Sequence, residues 1–274
     1  MAKITRKEFL AQDIVLLEIE AKRIASNAQV GQFVVLMPYE TSERIPISLH
    51  NWDQIRGTIQ IVFQIVGRTT SELSTLDVGD YIYTLLGPLG KPLELAEYGK
   101  VVCVGGGLGI PPIYNIAKGL KEKGNEVISI IGARTASLLI LEELIREASD
   151  ELITCTDDGS YGRKGFVTEA LRDLLNTTKI DLVIAIGPVP MMEAVANLTR
   201  PMGIKTIVSL NPIMLDATGM CGVCRVKVGG QIKFACVDGP KFDGHEVDFA
   251  DLRRRLAMYK EEEAKALEEW KARI

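Results

Sequence analysis

Three cysteines crowd into sixteen residues near the C-terminus: Cys221-Gly222-Val223-Cys224, then eleven residues, then Cys236. Thiolates are ligands for soft metal centres, and plant-type [2Fe–2S] proteins space them C-x4-C-x2-C…C. Here the position five before Cys221 holds Asp216, so the pattern is D-x4-C-x2-C-x11-C. A carboxylate oxygen ligates iron, although it is a harder donor than thiolate. Gly219 and Gly222 let the loop wrap closely and aim backbone N–H groups at sulfides. The competing chemistry is zinc, held by the three cysteines and His245, nine residues past Cys236. Cys103 and Cys155 each sit inside an apolar run and read as small core residues. Five cysteines are too few for a disulfide scaffold at this length and suggest a reducing, cytoplasmic setting.

A second constellation is Val101-Val102-Cys103-Val104-Gly105-Gly106-Gly107-Leu108-Gly109-Ile110-Pro111-Pro112, a strand feeding a helix through glycines. Such a turn lets backbone approach a bulky anion, and the helix start offers free N–H groups to a pyrophosphate. It is not a strict GxGxxG, and a plain βα turn is the competing reading. The chain has no GxxxxGK[ST], which argues against a P-loop NTPase. Further strand ends carry Gly132-Ala133-Arg134, Thr156-Asp157-Asp158-Gly159 and Gly187-Pro188. Asp157 and Asp158 suit ribose hydroxyls and would repel a 2′-phosphate, favouring NAD(H); Arg134 pulls the other way.

A carrier of hydride and a one-electron cluster in one chain call for a flavin between them. Arg44-Ile45-Pro46-Ile47-Ser48 sets a cation and a hydroxyl near a rigid proline turn. Val66-Gly67-Arg68-Thr69-Thr70 follows a strand and opens a short helix, another anion-binding geometry. Ordinary turns would produce both patterns.

The elements that must position these residues fall into two kinds. The first hundred residues are β-rich, and Ile59, Ile61, Phe63 and Ile65 alternate along one strand. Short strands divided by Gly57, Gly67, Gly79, Gly87 and Gly90 predict an antiparallel barrel. From about Tyr98, apolar strands alternate with helices, predicting a parallel sheet. The helices include one over Ser137 to Ala148. After Asn211 the alternation stops. The expected division is a barrel over 1–97, an α/β domain over 98–210, a cluster loop over 211–250 and a terminal helix over 251–274. That helix spaces Leu252, Leu256, Tyr259, Leu267, Trp270 and Ile274 along one face, and it either packs on its own sheet or docks a partner. A net charge of -4 argues against nucleic acid, and no apolar run reaches the length of a membrane span or forms a signal peptide.

The order of barrel, GGGLGxPP, TDDGSYG, GPxPMM and cysteine loop resembles the ferredoxin–NADP reductase superfamily, in the branch holding the electron-transfer subunit of dihydroorotate dehydrogenase. Glu43 to Ser48, Gly132 to Thr135, Ser209 to Met214 and Phe234 to Pro240 are similar to the small subunits of NADH-dependent reduced ferredoxin:NADP oxidoreductases, also called sulfide dehydrogenase small subunits. The resemblance implies that Arg44, Pro46, Ile47 and Ser48 bind FAD, with Ser48 at the flavin ring. It implies Gln64, Ile65, Gly67, Thr69 and Thr70 for the ribityl chain and pyrophosphate. Gly106, Gly107, Gly109, Arg134, Asp157, Asp158, Gly187 and Pro188 would contact NAD(H). Asp216, Cys221, Cys224 and Cys236 would ligate a [2Fe–2S] cluster. Two departures stand out. Arg44 lies four residues before Ser48 instead of three, and the family's cysteine near the nicotinamide is absent from Gly187-Pro188-Val189-Pro190-Met191-Met192. The implied function is electron relay among NAD(H), FAD, the cluster and a larger flavin and iron–sulfur subunit that bifurcates electrons and meets ferredoxin. The alternatives are a dihydroorotate dehydrogenase electron-transfer subunit, a hydrogenase diaphorase subunit, or a zinc-stabilised nucleotide sensor.

Overall fold

The first seven strands of the computed structural model, which describes residues 1–272, are β1 (Ala2–Ala11), β2 (Ile14–Glu20), β3 (Phe33–Met37), β4 (Ile45–Asp53), β5 (Thr58–Gln64), β6 (Tyr81–Ile82) and β7 (Thr84–Leu89). They form one antiparallel sheet in the order β6-β1-β2-β5-β4-β3-β7. Its two edge strands are joined in the chain by Tyr83 alone, so the sheet curls until its edges meet and forms a barrel. Short helices α1 (Lys22–Ala25) and α2 (Arg68–Thr75) flank it. Ile59, Ile61 and Phe63 fill the interior with Val15, Leu17, Val34 and Leu36, as the period of two requires. Each such side chain contributes about 1.5–3 kcal/mol by burial. One expected turn is a strand position: Gly87 lies within β7, where a Cβ would fall 2.8 Å from Val34.

The second sheet contains β8 (Lys100–Gly106), β9 (Glu126–Ala133), β10 (Glu151–Thr156), β11 (Arg163–Lys164), β12 (Leu182–Ile186) and β13 (Lys205–Ser209). Helices α3 (Ile110–Glu122), α4 (Glu142–Ala148), α5 (Val167–Thr177) and α6 (Val189–Thr199) cover it. The segment expected as a helix from Ser137 to Ala148 is helical only in α4 and in a 3-10 turn at Ala136–Leu138. Between them Ile140 is buried and Leu141 takes a φ of 60°, because that stretch drops an apolar side chain into the core. The chain closes with β14 (Arg225–Val228), β15 (Gln231–Phe234), β16 (Lys241–Asp243), α7 (Phe249–Leu256) and α8 (Lys260–Lys271). The sheet order is β11-β10-β9-β8-β12-β13-β16, parallel except for β16. A strand from the cysteine-bearing segment therefore completes the dinucleotide-type sheet.

The single terminal helix is two helices, α7 and α8, broken at Ala257 to Tyr259. No glycine or proline stands there. The break follows from packing: α7 lies on β14 and α6, α8 lies across the barrel on α2, and one straight rod cannot reach both. Phe249 and Leu252 are buried, whereas α8 has only half-buried Leu267 and Trp270. Ile274, expected on the same face, lies outside the described residues. Among the described residues no helix is long and apolar enough to cross a membrane.

Two of the three cores are shared between barrel and sheet. Ile14 and Leu16 pack with Ile110 and Ile113 of α3. Phe33 and Val35 pack with Cys224, Val226 and Cys236 of the cysteine hairpin. Alternation along β2 and β3 thus sends one set of side chains into the barrel and the other into a neighbour.

Candidate functional site

Arg44-Ile45-Pro46-Ile47-Ser48 is the start of β4 and not the proline turn expected from sequence. Ile45 to Ser48 pair with Leu36 to Phe33 of β3. On the other side the ladder to β5 begins only at Leu49 opposite Ile61, although β5 runs on to Gln64. Pro46, which has no N–H, is accommodated because that edge of β4 is unpaired. The open edge faces the end of β5, where Gln64 and Ile65 lead through Gly67 into α2. Thr70 Oγ1 accepts the N–H groups of Val66 and Gly67, both at 3.0 Å, and so closes the first turn of α2. Thr69 differs. Its Oγ1 is buried and meets no hydrogen-bond partner among the described residues. An orphaned hydroxyl at a helix start fits an anionic or polyhydroxyl ligand such as the ribityl pyrophosphate of FAD. Arg68, not assigned a role from sequence, is oriented here by Glu72, with Nε 2.8 Å from Oε1. Ser42 donates to the other oxygen of Glu72 at 2.5 Å. Arg44 is exposed.

The carboxyl ends of β10, β9, β8 and β12 stand side by side in that order. They carry Asp157 and Asp158, Arg134, Gly107 to Gly109, and Gly187 with Pro188. Ligands of open α/β sheets bind along such an edge. At Gly109 a Cβ would lie 1.9 Å from the carbonyl oxygen of Ile186, so only glycine lets the turn pass the end of β12. At Gly107, with φ of 52°, a Cβ would meet nothing within 4 Å, which leaves open space beside the backbone for a cofactor. Gly106 lies against Met191 and Pro188. The two acids diverge. Asp158 Oδ1 accepts the N–H and the hydroxyl of Ser160, at 3.0 and 2.7 Å, and these bonds hold its carboxyl below the usual carboxylate range. The Asp157 carboxylate is exposed and makes no such bond among the described residues. Arg134 is exposed at the end of β9.

The hairpin of β14 and β15 explains how an eleven-residue gap still brings two thiols together. Arg225 opposes Phe234, and Ala235 N–H donates to Cys224 O at 3.1 Å. The thiols of Cys224 and Cys236 consequently lie 3.2 Å apart, buried. Burial and the neighbouring Cys224 push the Cys236 thiol up to about 12, so its thiolate calls for a bound cation. Cys221 is exposed. Asp216 accepts the N–H groups of Thr218 at 3.0 Å and Cys221 at 2.9 Å, which organise the loop and hold its carboxyl low. Among the described residues no three His, Cys, Asp or Glu side chains converge on a single ion position. A binuclear cluster asks for two ligands on each iron; Cys224 and Cys236 already stand as one pair, and Asp216 and Cys221 lie on the loop that precedes them. The donor set fits [2Fe–2S]. His245 does not join it: its Nε2 is 3.0 Å from Thr199 Oγ1 at the end of α6, and Nδ1 is 3.9 Å from Asp243. Cys103 and Cys155 are buried strand residues, and burial pushes the Cys103 thiol up to about 12.

Comparison with known proteins bears on this arrangement. Residues 211–248 match the iron–sulfur cluster binding domain of dihydroorotate dehydrogenase B, and residues 103–197 match the oxidoreductase NAD-binding domain. The chain is 47% identical to a dihydroorotate dehydrogenase B (NAD(+)) electron transfer subunit homolog of Thermotoga maritima, over 95% of this chain and 92% of that one. It is 33% identical to the dihydroorotate dehydrogenase B (NAD(+)) electron transfer subunit of Bacillus caldolyticus, over 89% of this chain and 96% of that one. Its fold superposes with a TM-score of 0.94, at 44% identity and 98% coverage of both chains, on a chain from the NADH-dependent reduced ferredoxin-NADP oxidoreductase structure, a system of flavin-based electron bifurcation. The chain therefore belongs to the electron-transfer subunit family of dihydroorotate dehydrogenase B, oxidoreductase subunits of the ferredoxin–NADP reductase type that work with FAD, NAD(H) and a [2Fe–2S] cluster.

Proposed function

We propose that this chain is the NAD(H)-facing subunit of a larger flavin and iron–sulfur assembly of the electron-bifurcating ferredoxin:NADP oxidoreductase type. One observation carries the reading: the dinucleotide turn and the cysteine pair both pack against the barrel. The Gly107–Gly109 turn lies against β5 of the barrel, and the Cys224–Cys236 pair shares a core with Phe33 and Val35 of β3. FAD held there would supply chemistry that links two-electron hydride exchange to one-electron exchange with the cluster.

The chain's own residues bind and orient. Ser48 and the open edge at Arg44, Pro46 and Ile47 hold the flavin ring. Gln64, Ile65, Gly67, Thr69 and Thr70, with the first N–H groups of α2, hold the ribityl chain and pyrophosphate. Gly106, Gly107, Gly109, Gly187 and Pro188 leave room for the dinucleotide, Asp157 takes ribose hydroxyls, Asp158 shapes the turn beside it, and Arg134 neutralises phosphate. Asp216, Cys221, Cys224 and Cys236 hold the cluster. Hydride transfer needs placement of two rings and no acid–base pair. Exposed Leu215 and Met220 lie in the same loop as exposed Cys221, and exposed Val237 stands beside Gly219 of that loop, an apolar surface suited to the larger subunit, through which ferredoxin is reached. The segments 1–97, 98–210, 211–250 and 251–274 serve as flavin, dinucleotide, cluster and docking units.

The test is spectroscopic. The purified chain should be yellow-brown, contain FAD, iron and sulfide, and bleach with NADH under anaerobic conditions. A colourless, zinc-containing protein would overturn the reading. The relationship to the Bacillus caldolyticus subunit favours a second reading, service to a dihydroorotate dehydrogenase. The large protein that co-purifies with the native chain decides between the two.

A further inference from the structure

We propose that the backbone of Gly31 is a junction that fixes the three cofactor-bearing parts in register, with Asn115 setting the dinucleotide sheet against the barrel and Lys241 setting the cluster segment against it. The inference rests on the cofactor assignments above. Gly31 lies just before β3. Its N–H donates to Asn115 Oδ1 at 3.3 Å, and its C=O accepts from Lys241 Nζ at 2.5 Å. One residue of the barrel is thus gripped by the other two parts, through its N–H on one side and its C=O on the other.

Asn115 sits on α3, six residues past Gly109, and is buried. Its Nδ2 donates to Leu49 O at 2.6 Å and His50 O at 3.2 Å, the two carbonyls that follow Ser48 on β4. His50 reinforces the same seam. Its Nδ1 lies 2.8 Å from Pro111 O and so carries the proton, and its ring packs on Tyr114. The side chain of Asn115 therefore ties the flavin strand directly to the helix that begins at the dinucleotide turn.

Lys241 is on β16, five residues past Cys236, and pairs with Ser209 of β13. The two residues before it are stitched to both neighbours: Lys91 N–H donates to Gly239 O at 2.7 Å, and Leu210 N–H donates to Pro240 O at 2.9 Å. The contact is tight, since a Cβ on Gly31 would fall 2.7 Å from Lys241 Nζ. Burial pushes this ammonium down to about 7, so the lysine is kept at a position that opposes its charge. Apolar packing is non-directional and lets surfaces slide; hydrogen bonds between buried groups fix one register. Hydride transfer is sensitive to misplacement on the order of 1 Å.

Asn115 and Lys241 are positioning residues for different steps, and that difference is the test. Asn115→Ala, Lys241→Met and the conservative Asn115→Ser and Lys241→Arg are made in the full holo chain. Stopped-flow absorbance separates flavin bleaching by NADH from later cluster reduction, and amide hydrogen exchange follows Gly31 and Lys91. Asn115→Ala should slow flavin bleaching by about tenfold more than cluster reduction and raise exchange at Gly31. Lys241→Met should do the reverse and raise exchange at Lys91. The conservative variants should recover part of each loss. Equal slowing of both steps in both variants, or no change in either step, would overturn the junction. If Asn115→Ala or Lys241→Met fails to fold, the same opposed pattern is sought in the conservative pair, and its absence overturns the proposal. A wild-type chain that NADH does not bleach refutes the cofactor reading instead.

Discussion

Asp157 and Asp158 are adjacent, carry the same charge and do different work. Asp158 is spent on the turn through Ser160, while the Asp157 carboxylate remains exposed at the strand end. Asp157→Ala should raise the KM for NADH about tenfold, the value of one or two hydrogen bonds to ribose, and leave the KM for NADPH nearly unchanged. Asp158→Ala should have the smaller effect on KM. Equal effects of the two variants would reject this division. The Asp216 oxygens organise the loop through Thr218 and Cys221, and under the proposed ligand role the same carboxylate keeps further lone pairs for iron. Asp216→Ala should yield a cluster that chelator strips faster than from wild type, followed by visible absorbance. An unchanged spectrum and lifetime would mean that another group fills the position. Sequence spacing singles out both acids at the first pair and the lone acid at the cluster. It does not distinguish Asp157 from Asp158, because the difference is made by a serine that folds back across the turn.

At the scale of elements, local pattern and tertiary demand agree in some places and part in others. β8 is legible because both faces are buried, giving the unbroken run Val101 to Val104. β1 is hidden by the polar run Lys3, Thr5, Arg6, Lys7 and Glu8, in which only Ile4 is fully buried and no clean alternation shows. β4 is hidden by Pro46, whose tolerance depends on an edge that β5 leaves unpaired. The helix break at Ala257 to Tyr259 has no local signal, since two different surfaces claim its halves. α8 has no fully buried side chain among the described residues, so its removal should cost little stability. Truncation after Tyr259 should lower the Tm by no more than a few degrees (roughly 1 kcal/mol) and weaken co-purification with the large partner. Undiminished co-purification would exclude α8 as a docking helix. The cut must spare α7, because Phe249 and Leu252 belong to the core.

The whole molecule is held by seams between barrel and sheet, and one of them titrates. His50 is 1% exposed; burial lowers its pKa from 6.5, and the bond to Pro111 opposes that shift in part. The unfolded histidine binds its proton near 6.5, the folded one only at lower pH. Below that value the unfolded chain takes up the proton more readily, so stability present above it is lost as pH falls toward the folded pKa, at up to about 1.4 kcal/mol per pH unit. Urea midpoints should drop as pH falls below 6.5, and His50→Gln should flatten the slope. Parallel slopes would place the sensitive group elsewhere.

Residue type and order alone determined the chemistry and the class of each part: a cysteine loop for a cluster, a glycine turn at a parallel strand for a dinucleotide, and short alternating strands for a barrel. These follow from donor softness, from the backbone room glycine leaves and from a side-chain period of two, all local properties. Only the tertiary structure decided that β16 completes the second sheet, that His245 belongs to Thr199 rather than to the cysteines, and that Gly31, Asn115 and Lys241 meet. Those relations join residues up to 210 positions apart in the chain. No local pattern encodes such pairings, because they are settled by which buried polar groups find partners once the sheets pack.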